Sequence, residues 1–192
     1  MQVNAVSAGS MFYVSSVSTP VSVATALAMV KQYPRTKFSI SDTNDNINNN
    51  LDALQKVANN VTAVTLDDLT TALSITATQL KKDATILSKI SGAYKLEVRN
   101  VTASKATTVA AANHVTGVSV LDTSAAIASS INDLQTLYGS EKLMQITQSG
   151  ATAPLVLTAD QYAASKTGAL TLVAGSYTVA VTGATTTQAL GY

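Results

Sequence analysis

The sequence predicts an α/β protein built as a parallel strand–helix solenoid. Three observations carry this reading: an internal repeat of about 80 residues, short period-two apolar runs that alternate with segments of helical spacing, and the regular intervals between successive runs. "SISDTNDNINNNLDALQ" (39–55) aligns without a gap on "SVLDTSAAIASSINDLQ" (119–135). Ser39, Asp42, Thr43, Ile47, Leu54 and Gln55 recur as Ser119, Asp122, Thr123, Ile127, Leu134 and Gln135, and Leu51 recurs as Ile131. "VTAVT" (61–65) then falls opposite "LMQIT" (143–147), "LSITATQL" (73–80) opposite "LVLTADQY" (155–162), and "SGAYKLEVRNVTASKA" (91–106) opposite "AGSYTVAVTGATTTQA" (174–189). A fainter echo sets "FYVSSVST" (12–19) against "LEVRNVTA" (96–103). The chain thus reads as a single domain, 1–192, holding a partial repeat (1–35), a full one (36–114) and a second, incomplete one (115–192).

The elements follow in order. After the first strand, Pro20 signals a helix start and Pro34 in "KQYPR" a helix stop. Phe38 and Ile40 alternate as in a strand. Ile47, Leu51 and Leu54 step by four and three, which places them on one helix face. Val64 with Leu66 and Leu73 with Ile75 mark two more strands, separated only by "DDLTT" (67–71). That link is too short for a helical crossover, so it is a hairpin or a corner. Leu80, Ala84 and Leu87 form the next helical stripe, Tyr94, Leu96 and Val98 the next strand, and Ala103, Ala106 and Ala110 a stripe of small residues. Val118 and Val120 open the second copy, whose last helix is "ATTTQALGY" (184–192). Strand, helix, strand at such intervals implies parallel pairing with right-handed crossovers, and repetition of the unit makes a solenoid.

Two family resemblances rest on these residues. The spacing of "VTAVTL" (61–66) and "VTGVSV" (115–120) is similar to the strand portion of leucine-rich repeats, although the Leu and Asn positions of that family are not kept through every unit. "DTNDNINNNLDALQKVANNVTAVTL" and "LSITATQLKKDATILSKISGAYKLEV" resemble repeats of large bacterial secreted and surface proteins of surface-layer, adhesin or haemolysin-type calcium-binding character. This second resemblance covers about residues 36–192 and implies an exported structural or adhesive protein with no catalytic residues.

Composition narrows the classes further. Hydrophobic residues make up 46%, which supports a packed core, while charged residues are only 12% and the net charge is +1. The scattered basic residues form no patch for nucleic acid, and two Phe with no Trp give little for base stacking. The absence of Cys excludes disulfides, thiolate metal sites and Cys nucleophiles. The opening "MQVNAVSAGSMFYV" lacks the basic and apolar regions of a Sec leader, and the run "VSVATALAMV" (21–30) is too short to span a bilayer.

Candidate site residues are few. Asp42, Asn44 and Asn46 have the spacing of the first half of a calcium loop, with Asp45 between them. The sixth and twelfth positions counted from Asp42, however, are Ile47 and Ala53 in place of Gly and Glu, and the copy at 122–133 keeps Asp122, Thr123 and Ile127 but not the Asn cluster. Helix capping by Asp42 or Thr43 is therefore favoured over a cation, with Asp45 suiting the helix dipole and Asn44, Asn46, Asn48, Asn49 and Asn50 on the outer face. Asp42, Asp68, Asn100 and Asp122 each follow the last apolar strand position by two residues and are read as a ladder of corner residues bonding freed backbone groups. Gln148 and Gly183 interrupt that pattern, against a metal ladder. His114, the single histidine, is read as a surface loop residue; no G-x-S-x-G elbow is present. Asn60 and Asn100 head N-x-T sequons. Tyr94 and Tyr177 are read as half-buried packing residues with outward hydroxyls.

The expectation is a non-enzymatic structural block of an extracellular or cell-surface assembly, without cofactor apart from the calcium reading. Its partners would be a second copy or neighbouring repeats of a longer chain, with no nucleic acid and no membrane insertion. The alternative is an extracellular glycan- or protein-binding module, calcium-stabilised or not.

Overall fold

A computed structural model describes residues 3–7, 12–151 and 153–186. The chain divides into two compact units, Met1–Lys95 and Leu96–Tyr192. Both are mixed α/β, with strands and helices alternating and sheets that contain parallel pairs.

In the first unit, β1 (Val3–Ser7) and β2 (Phe12–Val17) pair antiparallel. Then come α1 (Val23–Gln32), β3 (Phe38–Asp42), α2 (Asn44–Asn49), α3 (Leu51–Lys56), β4 (Val61–Leu66), β5 (Leu73–Thr76), α4 (Ala77–Lys82) and α5 (Ala84–Leu87). β3 and β4 are parallel, with Ile40 opposite Val64. Single bridges extend this pair through Val21 beside Ile40 and Ile90 beside Val64. Helix α1 is capped two residues after Pro20 by Ser22, whose hydroxyl accepts from Thr25 N at 3.2 Å, and Tyr33 closes it directly before Pro34.

Ile47, Leu51 and Leu54 are all buried, as their spacing requires, but on two helices. The break is Asn50 (φ −115°, ψ 13°), whose amide donates to Asn46 O at 2.8 Å. A second interruption at Asp83 (φ −101°, ψ 20°) corrects the expected stripe Leu80–Ala84–Leu87. The altered backbone there turns Ala84 to solvent and brings Asp83, Ile86 and Leu87 inside. Residues 67–71 form a corner: β4 lies beside β3, while β5 packs against α2 and leads directly into α4.

The second unit runs β6 (Leu96–Val101), a 3-10 turn (Ala103–Lys105), α6 (Ala106–Ala110), β7 (Val115–Asp122), α7 (Ser124–Ser129), α8 (Ile131–Gly139), β8 (Leu143–Gln148), β9 (Leu155–Thr158), α9 (Ala159–Ser165), a 3-10 turn (Ala169–Leu172) and β10 (Val179–Thr182). β6, β7 and β8 are parallel neighbours in that order, with Val98 opposite Val118 and Val120 opposite Ile146; Val173 adds a bridge to Ile146. β9 and β10 form a separate parallel pair. Helices α7 and α8 break at Ser130 (φ −105°, ψ 8°), the aligned counterpart of Asn50. Ala103, Ala106 and Ala110 are buried, and these small side chains let α6 pack closely on β7. Of the helix expected at 184–192, residues 187–192 lie outside the described residues.

The bridges also correct the N-terminal echo. Val21 pairs with Ile40 as Val101 pairs with Val120, so the counterpart of Val101 is Val21 and not Val17; the loop through Pro20 carries the extra residues. No helix among the described residues is long and apolar enough to cross a membrane.

Candidate functional site

The polar residues singled out by the sequence lie at the strand ends. Asp42 closes β3 and accepts three hydrogen bonds: from Val23 N, at the first turn of α1, at 2.8 Å, from Thr43 N at 2.8 Å and from the Asn46 amide at 2.7 Å. The Asn46 amide first, then these main-chain N–H groups, hold its carboxyl below the usual carboxylate range against the opposing effect of burial. Asp122 closes β7 and accepts from Ala103 N at 2.9 Å and Thr123 N at 2.8 Å. Neither Asp caps the helix that follows it. That role falls to Thr43 and Thr123, which accept from Asn46 N and Ala126 N. Each Asp instead ties its strand end to the start of the preceding helical segment.

The other two expected corner residues act differently. Asp68 accepts from Thr70 N (2.7 Å), Thr70 Oγ1 (2.6 Å) and Thr71 N (3.3 Å), within its own turn. The Thr70 hydroxyl leads the effects that bring its carboxyl down to about 2. Asn100 is exposed and holds a left-handed backbone (φ 56°) where the β6–β7 register shifts between Val98 and Val101.

Asp42 already faces three N–H donors. Asn44 donates its amide to Asp68 O at 2.7 Å and Thr71 O at 2.9 Å, holding the corner at 67–71. Asp45 is exposed. Among the described residues, no group of three or more His, Cys, Asp or Glu is arranged to hold a metal ion. A hollow of ≈ 200 Å³ beside Asp42 is lined by Ser22, Val23, Ala24, Asn46 and Asn50. The outward Asn face is also corrected in part. Asn46 and Asn49 are exposed, but Asn44, Asn48 and Asn50 are half-buried, and the buried Oδ1 atoms of Asn44 and Asn48 have no hydrogen-bond partner among the described residues.

Three further sets of bonds occur at aligned positions. Gln55 Oε1 accepts from Ile86 N at 2.9 Å, and Gln135 Oε1 accepts from Ala169 N at 2.8 Å. Thr76 with Gln79, and Thr158 with Gln161, form reciprocal capping boxes on α4 and α9, legible in the sequence as T-x-x-Q. The Tyr94 hydroxyl donates to Leu87 O at 3.1 Å and the Tyr177 hydroxyl to Leu170 O at 3.0 Å. The hydroxyls therefore point inward, each adding a second bond to a carbonyl that also accepts a main-chain N–H, from Ile90 and Val173 respectively. His114 sits in an exposed turn with φ 66°. The Asn60 side chain is buried and donates to Pro34 O and Thr36 O, so its sequon nitrogen is engaged in the fold.

Two features had no signal in the sequence reading. One is Asp83, fully buried at the α4–α5 junction. The other is a groove of ≈ 490 Å³ in the second unit, between α7 and β9, with Ser124, Ala128, Pro154, Val156 and Gln161 among its walls. No family model, no curated protein and no solved structure matches this chain.

Proposed function

We propose that the chain is a strand–helix solenoid with a repeat of about 80 residues that serves as a non-enzymatic building block of an extracellular assembly, a surface layer, fibre or adhesin. Its partners are further copies of itself or neighbouring repeats of a longer chain, engaged through solenoid ends or faces. One observation carries the reading: the polar side chains that recur at aligned positions, Asp42/Asp122, Thr43/Thr123, Gln55/Gln135 and Tyr94/Tyr177, are bonded to main-chain groups. Residues retained for catalysis would converge on a cavity; these are distributed along the frame, holding one strand–helix turn to the next. Light scattering and electron microscopy of the isolated chain test the idea. Concentration-dependent growth into fibres or sheets supports it, and a strict monomer at high concentration removes self-assembly.

A second reading, an extracellular glycan- or protein-binding module, draws on the groove between α7 and β9. Amide shifts at Ser129 and Val156 on titration with oligosaccharides would favour it. A melting temperature unmoved by millimolar calcium or by chelator removes its calcium-stabilised form.

A further inference from the structure

Helices α3, α4 and α5 meet at a carboxyl group that the solenoid frame does not require. Asp83 joins α4 to α5 with 0% of its surface exposed. Among the described residues neither of its oxygens has a conventional hydrogen-bond donor. The group that faces it is a second carboxyl, Asp52 on α3. Asp52 is itself paired with Lys82 at 3.3 Å, at the end of α4, and feels the charge of Lys56 from its own helix. The α5 segment "ATIL" contributes no titratable side chain.

Two carboxylates cannot bond to each other unless a proton lies between them, and a buried anion with neither donor nor counter-ion is strongly disfavoured. We propose that Asp52 and Asp83 share a single proton, and that this carboxyl–carboxylate bond is a pH-sensitive latch holding the α4–α5 junction against α3. The proton resides on Asp83 and is donated to Asp52, whose other interactions with Lys82 keep it anionic. The electrostatics agree. Burial first, then the neighbouring Asp52, push the Asp83 carboxyl up to about 6, while Lys82 and then Asp83 hold Asp52 below the usual range.

The sign of the pH dependence follows. The folded chain holds a proton on Asp83 between its ordinary value of 3.8 and about 6, where the unfolded chain has released it, so stability falls as pH rises through that window. Asp52 acts oppositely and lower, its contribution being lost as pH falls below 3.8. The second unit supplies an internal control. Its aligned positions are Asn132 and Ser165, and the buried Ser165 hydroxyl donates to Gln161 O at 2.6 Å. Neither residue titrates, so the latch belongs to the first unit alone.

The test is thermal unfolding of the whole chain from about pH 4.5 to about pH 7.5, with Asp83→Ser beside the wild type. The wild-type melting temperature should fall by on the order of 5 °C across this range, and the variant's pH-dependent fall should be far smaller. A flat wild-type profile, or an unchanged slope in the variant, overturns the proposal. Carbon-13 NMR of the wild-type Asp83 carboxyl decides the matter even if the variant does not fold: a midpoint near 6 supports the shared proton, and one near 3.8 overturns it. Millimolar calcium that restores wild-type but not Asp83→Ser stability at the upper pH would also overturn it, by placing a cation between the carboxylates.

Discussion

The aligned stretches 39–95 and 119–178 keep the same bonds to the main chain and fill the space around them differently. In the first, the half-buried amides of Asn44 and Asn48 lie on the inner side of α2, and Asn44 holds the corner at 67–71. In the second, the same helix positions are Ser124 and Ala128, and a groove of ≈ 490 Å³ opens beside them. The corner is instead held from Gln148, whose amide donates to Ser124 Oγ at 2.8 Å and Ala153 O at 3.2 Å. What differs is the filler. What stays is the set of side chains that bond backbone groups: Asp at the strand end, Thr at the cap, Gln and Tyr at the far turn. A bond to the backbone fixes where the chain runs without fixing what its neighbours are, so the frame tolerates loss of volume and of charge between the two stretches.

That comparison breaks most visibly in the core. Leu54→Ala and Leu134→Ala each remove a side chain with 0% exposure and should each cost about 3 kcal/mol, equal to within about 1 kcal/mol. Chemical denaturation checks this, and a large disparity would mean that the two helices are not equivalent supports. Next come Asp42→Ala and Asp122→Ala, each leaving two main-chain N–H groups without their acceptor, at about 1–3 kcal/mol. Hydrogen exchange at Val23 and Ala103 should quicken in the respective variants, and Asp42→Ala should be slightly the costlier because it also removes the bond from the exposed Asn46 amide. Thr76→Ala and Thr158→Ala should cost about 1 kcal/mol each by removing matching capping boxes. The smallest effect is expected of Lys82→Ala, which installs the residue found at the aligned position Ala164. Its ion pair with Asp52 joins side chains 58% and 53% exposed, so stability should move by less than about 1 kcal/mol.

Much of this frame was legible in the sequence. The stripe of Ile47, Leu51 and Leu54, the strands around Ile40, Val64 and Val120, and the corner role of Asp42 and Asp122 follow from local periodicity and from the alignment of the two stretches. The rest was set by contacts distant in sequence. "LKKDATIL" (80–87) reads as one helix with Leu80, Ala84 and Leu87 on its inner face, and the burial of Asp83 depends on α3 packing against α5 from about 30 residues away. The breaks at Asn50, Asp83 and Ser130 carry no Pro or Gly to announce them. The inward hydroxyls of Tyr94 and Tyr177 bond carbonyls at the ends of helical turns, whose places periodicity cannot locate.

Those breaks also shape the order in which the chain can fold. The longest helix among the described residues, α1, has 10 residues, and α2, α3, α4 and α7 have 6 each. Helices shorter than about 12–15 residues do not persist alone in water. These segments therefore gain their helical form only when a parallel strand pair is in place beneath them, and each such pair closes a loop of about 20 residues or more. Helix and sheet should then appear together, at the pace of non-local strand pairing, with no helical intermediate preceding the sheet. The same dependence makes loss cooperative, since a strand pair that separates leaves its covering helices with no face to lie on.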